Sequence, residues 1–224
     1  MTLINDVWLW LTSSMQWHGS GSIPTRLTEH LVFSGVAIVI ASIITVPMGI
    51  IIGHFHIGKA LIGSVSVIGR TIPILGLLTL LGLLLGIGSL APMLVLILLA
   101  IPSILVATYS GMEAVEHECT WGAQAIGMSP WQVMFQVELP LAAPTILGGI
   151  RSATLQTLST ATLAAYTSNI GLGRYILAGL KTNQPAQMLG GALLVIAVAL
   201  AADIALAALQ NIAQHKATPA HFSV

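Results

Sequence analysis

The chain is 224 residues long, with 56% hydrophobic and 6% charged residues and a mean hydropathy of +0.95, which excludes an ordinary soluble domain, where charges approach about a quarter. Seven Lys and Arg balance seven Asp and Glu, so there is neither a basic surface for a nucleic-acid backbone nor an acidic tail. The single cysteine, Cys119, excludes an internal disulfide and a Cys-rich metal cluster.

In chain order, residues 1–30 form an N-terminal segment with Trp8, Trp10 and Trp17 among Leu and Ile. It lacks the basic start and small-residue cleavage site of a signal peptide. Indole rings favour the headgroup level, so an interfacial helix is expected. A spanning helix needs about 20 apolar residues. Leu31 to Gly53, Thr71 to Gly88 and Leu90 to Gly111 meet or approach that length without a charge. Ile57 to Gly69 is also apolar, but Lys59 and Arg70 interrupt it, so the second span is read as one long tilted helix, with a separate short helix as the alternative.

Apolar character returns from Leu139 to Tyr166, with Arg151 embedded, and from Met188 to Leu209, with Asp203 embedded. The fourth stretch is rich in small hydroxyl residues (Ser152, Thr154, Thr157, Ser159, Thr160, Thr162), which let helices approach closely in lipid, so it should face protein or a water path. The uninterrupted runs exclude a β-barrel. The expected fold is an all-α polytopic helical bundle of about five transmembrane helices, or six if the second span is split. The transmembrane domain covers residues 31–211 and a polar tail residues 212–224. The Lys and Arg count on the two sides is nearly tied and does not set the orientation.

Residues 113–138 are the longest polar connection, yet they hold no Lys or Arg and carry Trp121, Ile126, Met128, Trp131, Met134 and Phe135. That is not a disordered composition. Gly127 suits the left-handed residue that closes one helix, Ser129 the N-cap of the next, Pro130 its first position, and Gln132 the return bond of a capping box. The second helix should run to about Glu138 and break where Leu139-Pro140 enters the fourth span, since proline lacks a donor. The result is a stiff elbow, too apolar for solvent and too polar for lipid, that calls for a protein partner.

The spacing Gly127, nine residues, Val137, Glu138, Leu139-Pro140 resembles the cytoplasmic coupling loop of bacterial ABC importer permeases, whose pattern is Glu-Ala-Ala, three residues, Gly, nine residues, Ile, one residue, Leu-Pro. The Glu-Ala-Ala falls on Trp121-Gly122-Ala123, where only Ala123 agrees. Further segments, namely Arg70 to Pro73, Leu85 to Gly88, Gly127 to Ser129, Val137 to Pro140, Gly149 to Arg151, Thr160 to Ala164 and Gly171 to Gly173, are similar to the osmoprotectant permeases for glycine betaine, carnitine and choline. The resemblance covers about Leu31 to Leu209. An amino-acid importer such as one for methionine shares the elbow and is the alternative. A self-contained channel or ion-coupled transporter is the rival from another class.

The resemblance implies a permease subunit of the type I importer fold in a bacterial inner membrane, with the elbow and C-terminus cytoplasmic and the N-terminus outside. It implies ABC ATPase subunits that bind ATP and magnesium, a second permease copy or similar permease, and an extracytoplasmic binding protein or domain, with membrane lipid around and no nucleic acid. This chain would carry no cofactor, no metal and no catalytic residue. The ATPase-coupling residues would be Trp121, Gly122, Ala123, Gly127, Met128, Ser129, Pro130, Trp131, Val137, Leu139 and Pro140. Trp121 and Trp131 are docking residues or interfacial anchors, and their place on either side of the turn favours docking. Thr160, Thr162, Tyr166 and Asn169 are expected to face the pore.

Other patterns are weaker. Gly53 to Lys59 has the opening of a phosphate-binding loop, but Ala60 stands where the magnesium ligand belongs. His117-Glu118 is half a zinc-protease motif, with Trp121 in place of the second His. His54 and His56 are read as interfacial residues, with metal or pH sensing as the alternative. Arg151 and Asp203 are intramembrane charges and so functional candidates. An ion pair and two separately solvated ends are both open.

Overall fold

The computed structural model describes residues 2–217. The elements are α1 (Leu3–Thr12), α2 (Ile23–Phe55), α3 (Lys59–Thr71), α4 (Ile74–Leu85), α5 (Leu90–Glu113), α6 (His117–Ala125), α7 (Pro130–Val133), a π-helical turn (Met134–Glu138), α8 (Leu139–Thr160), a 3-10 segment (Ala161–Tyr166), α9 (Gly173–Lys181) and α10 (Pro185–Ala217). No strand occurs among the described residues.

Among the described residues four helical stretches are long and apolar enough to cross a membrane: Ile23–Phe55, Leu90–Glu113, Pro130–Tyr166 and Pro185–His215. The expected second span is divided. Pro73 has no N–H to donate and disfavours a helical residue before it, so α3 ends at Thr71 and α4 restarts at Ile74. The 12 residues of α4 rise about 18 Å, short of the roughly 30 Å hydrocarbon core. The separate short helix, given above as the alternative, is the arrangement adopted.

The expected break at Leu139-Pro140 does not occur. Helical backbone runs on from α7 into α8 through the wider turn Met134–Glu138, in which the Leu139 N–H donates to the Met134 carbonyl, five residues back. Widening the turn accommodates a proline that can neither donate nor tolerate the carbonyl four residues earlier. At its other end α8 tightens into the 3-10 segment from Ala161, so the fourth span is not one uniform helix.

The contacts divide the chain into two compact units. The first holds Met1–Val39, Ile72–Leu98 and Thr154–Ala202; the second holds Ile40–Thr71, Leu99–Ala153 and Asp203–Val224. The chain passes between them five times: within α2, at the α3–α4 break, and within α5, α8 and α10. In the first unit Phe33, Ala37, Leu96, Ala161 and Ala164 form one core cluster. Ile23, Leu172, Tyr175 and Val195 form another, with Trp10 and Leu11 of α1 packed on it. Helix α1 is therefore seated on protein through one face, while Trp8 stays 65% exposed.

In the second unit Ile50, Met112, Met134, Ala142 and Ile146 form the cluster that seats the elbow. Ile52, Ile62, Leu105 and Tyr109 form its companion. Small residues set the spacing, as expected where lipid supplies no hydrophobic drive between helices. A Cβ on Gly49 would lie 2.7 Å from Thr108 Cβ, and one on Gly149 would collide with the Ala107 Cβ.

Candidate functional site

The elbow is built by local chemistry. Helix α6 closes at Gly127, whose φ of +93° is open to glycine and strained for side chains. The Gly127 N–H donates to Gln124 O at 2.9 Å and the Met128 N–H to Ala123 O at 3.2 Å, the paired bonds of a Schellman closure. Ser129 then caps α7: the Gln132 N–H donates to Ser129 Oγ at 3.4 Å, and the Ser129 N–H donates to Gln132 Oε1 at 2.7 Å. Pro130 takes the first helical position, where a missing N–H costs nothing.

This corner has two unlike faces. Ala123, Val133, Met134 and Glu138 are buried, and Val137 and Leu139 are half-buried. Trp121 is 67% exposed, Trp131 57%, Phe135 55% and Ile126 82%, with Trp131 and Phe135 stacked at 6.3 Å. Gly122, Ser129, Pro130 and Pro140 are exposed, and Met128 is half-buried. Anchored apolar residues thus hold a bare aromatic face in place. Such a face is the composition of an interface core.

Glu138, the last residue of the π-helical turn, is only 7% exposed. Its Oε2 lies 2.6 Å from His54 Nδ1. His54 therefore belongs to the elbow's support. Phe55 packs edge-on to Trp131 at 6.2 Å, and His56 stacks on His117 at 6.2 Å. Sequence reasoning missed these contacts because 84 residues separate His54 from Glu138. The available signal was a carboxylate just before a Leu-Pro exit with no basic residue nearby in sequence.

In the same unit Arg151 and Asp203 meet directly, Nε donating to Oδ1 at 2.6 Å and Nη2 to Oδ2 at 2.9 Å. Arg151 Nη1 also donates to Gln210 Oε1 at 3.4 Å.

The four expected pore residues all lie in the first unit but do not converge. Tyr166 and Asn169 line one polar cavity of about 450 Å³ with Ser168, Arg174 and Lys181. Tyr166 also borders an apolar cavity of about 310 Å³ beside α4. Thr160 lies instead among Leu78, Leu96 and Leu163, and the Thr162 hydroxyl donates to Ser159 O at 2.8 Å.

The loop bearing Asn169 is clamped by the first turns of α2. Arg26 donates from Nη1 to the Asn169 carbonyl, from Nη2 to Asn169 Oδ1 at 3.2 Å, and from Nη1 to Glu29 Oε2 at 2.9 Å. Glu29 Oε2 in turn accepts from the Gly171 N–H at 3.0 Å. His30, 1% exposed, places Nε2 3.0 Å from Leu158 O. The Tyr175 hydroxyl donates to Gly21 O at 2.6 Å; burial pushes this phenol above its ordinary pKa, with Arg26 opposing and Glu29 adding to the shift. These partners were also missed. The Arg26–Glu29 spacing of one helical turn was the legible part.

Comparison with known proteins follows the same lines. A family model described as binding-protein-dependent transport system inner membrane component matches residues 45–217. The chain is similar to the choline transport system permease protein OpuBB of Bacillus subtilis, 35% identical over 201 residues that cover 89% of this chain and 90% of that one. It is similar to the carnitine transport permease protein OpuCB of Listeria monocytogenes, 33% identical over 81% of this chain and 84% of the relative. Among solved structures it is similar in fold to the inward-facing methionine ABC transporter MetNI, with a TM-score of 0.72 at 19% identity, covering 83% of this chain and 93% of that one.

Proposed function

Because the chain belongs to the family of binding-protein-dependent transport inner-membrane components, we propose that it is the permease subunit of an ATP-driven importer for osmoprotectants, quaternary amines such as choline, carnitine or glycine betaine. The relatives named for those cargoes match it over most of its length. The subunit translocates and does not itself hydrolyse ATP; that reaction, with its ATP and magnesium, belongs to the partner ATPase subunits. A second permease, identical or similar, completes the pore, and an extracytoplasmic binding protein delivers cargo to it.

The observation that carries this reading is the capped elbow, with its buried anchors and its bare face of Trp121, Ile126, Trp131 and Phe135. An importer needs an external agent to stabilise its two arrangements unequally. ATP-driven closure of the partner would displace the elbow as a rigid body, and the unbroken helical path through Leu139 and Pro140 would deliver that displacement to α8. In this reading the elbow and the C-terminus lie in the cytoplasm and the N-terminus outside. Tyr166 and Asn169 are then placed on the cargo path toward the outer side. Arg151 and Asp203 tie α8 to α10.

The test is co-purification with an ABC ATPase subunit from the same cell, followed by uptake of radiolabelled choline and glycine betaine into proteoliposomes. ATP-dependent uptake that needs the ATPase and the binding protein is the expected result. Cargo that crosses vesicles holding this chain alone would refute the proposal.

A further inference from the structure

We propose that His54, Phe55 and His56 form a clasp through which the elbow drives α2 directly, a second route of transmission beside the covalent one into α8; this rests on the reading of the elbow as an ATPase-driven lever.

The argument begins with the end of α2. Successive residues on a helix point about 100° apart, so three in a row do not ordinarily meet one neighbouring element. Here they do, because the helix stops at Phe55 and His56 turns into the left-handed region at φ 55°. Few non-glycine residues adopt that conformation, and it persists only where surrounding contacts hold it. The His56 N–H donates back to Gly53 O at 3.3 Å, and ring Nδ1 donates to His54 O at 3.0 Å. The reversal carries the His56 ring onto His117, stacked at 6.2 Å and 20°. His117 lies 6.1 Å from Trp121 on the exposed face of α6.

The other two contacts reach the second arm of the elbow. Phe55 meets Trp131 edge-on at 6.2 Å and 79°. His54 Nδ1 sits 2.6 Å from Glu138 Oε2. An imidazole N–H on a carboxylate is among the shorter and stronger hydrogen bonds a protein makes. Both side chains are close to 10% exposed, so the carboxylate has little water to fall back on if its partner leaves. The π-helical turn matters here. Its extra residue resets the face on which Glu138 emerges relative to Trp131, and such wide turns recur at functional positions.

The elbow is thus held at three points by the last residue pair of α2 and the residue after it: Glu138 at the root of α8, Trp131 beside the corner, and His117 at the start of α6. A displacement imposed on the elbow's bare face cannot move α8 without also moving the end of α2, unless the His54–Glu138 bond breaks. The established covalent connection runs only through α5 and α8. The clasp adds the third helix of that unit to the lever.

Two measurements test it in the complete complex of permease, ATPase and binding protein. In proteoliposomes loaded with ATP, His54→Ala and Glu138→Ala should each lower radiolabelled choline or glycine betaine taken up per ATP hydrolysed by about fivefold or more. The double variant should be no worse than either single one, since the pair acts as a unit. Nitroxides on the exposed Ile57 and on the exposed native Cys119 of α6 should keep one distance in the nucleotide-free and vanadate-trapped states of the otherwise unaltered chain. If a variant fails to accumulate, this distance decides alone. An active wild-type complex in which the distance shifts by a helical turn, about 5 Å, overturns the clasp, as do unchanged ratios in both single variants or losses that multiply in the double. A wild-type complex that shows no ATP-dependent uptake overturns the functional reading itself, and the clasp with it.

Discussion

Arg151 on α8 and Asp203 on α10 meet as a two-pronged pair, with both carboxylate oxygens engaged at 2.6 and 2.9 Å. Planar guanidinium and carboxylate groups fit each other in this way, and a lysine could not replace the arginine. Both charges sit inside stretches long enough to span a membrane, where an unpaired charge is costly. Reversing either one, Arg151→Asp or Asp203→Arg, should sharply lower the amount of chain recovered in membranes. Reversing both should bring it back toward the unaltered level, measured by quantitative blotting and gel filtration. A double reversal as poor as the singles would mean that each residue acts through something other than this pair.

The corner at Gly127 makes a graded prediction. Ser129→Ala removes one cap, a loss of about 1 kcal/mol, and should lower ATP-driven uptake about fivefold at most. Gly127→Val forces a β-branched residue to φ +93° and should abolish coupling while leaving the chain in the membrane, because Gly127 is exposed and no atom lies within 4 Å of an added Cβ. Pull-down of the ATPase subunit, read alongside uptake, separates lost docking from lost folding. Equal behaviour of the two variants would contradict the role given to the turn.

What could be read from the sequence divides by range. The Gly127 closure and the Ser129–Gln132 capping box were legible because all their chemistry lies within one or two turns. The long apolar runs were legible because lipid demands length and apolarity above all. The π-helical turn Met134–Glu138 was not legible, since a proline that lacks a donor can be met by a break or by a wider turn, and only packing of Met134 and Glu138 decides which. Nor were the His54–Glu138 and Arg26–Asn169 contacts, whose partners lie 84 and 143 residues apart. Single charges in an apolar chain announce that a partner exists, without saying where.

Helix spacing in the second unit rests on missing side chains. A Cβ on Gly149 would collide with the Ala107 Cβ and lie 3.3 Å from the Ser103 carbonyl, so Gly149→Leu must push α8 away from α5. Overpacking of this kind costs about 1–3 kcal/mol, and the thermal midpoint of the purified complex should fall accordingly. Ala107→Gly in the same chain should recover part of the loss. No recovery would mean that the strain is relieved elsewhere than at this contact.

The clamp on the Asn169 loop links stability to the proposed cargo path. Arg26 supplies bonds to Asn169 and Glu29 from a nearly buried position, and hydrogen bonds from a charged group contribute about 1.5–3 kcal/mol each. With Cys119 replaced by Ser, cysteines at Tyr166 and Asn169, which line the polar cavity, should react with polar thiol reagents added from outside. A cysteine at Thr160, which lies among Leu78, Leu96 and Leu163, should react far more slowly. Arg26→Ala should then raise the rate at Asn169 and lower uptake, because the loop loses the contacts that hold it against α2. If Tyr166 and Asn169 stay unreactive in both the nucleotide-free and vanadate-trapped states, neither faces a water-filled path, and the place given to them in transport is wrong.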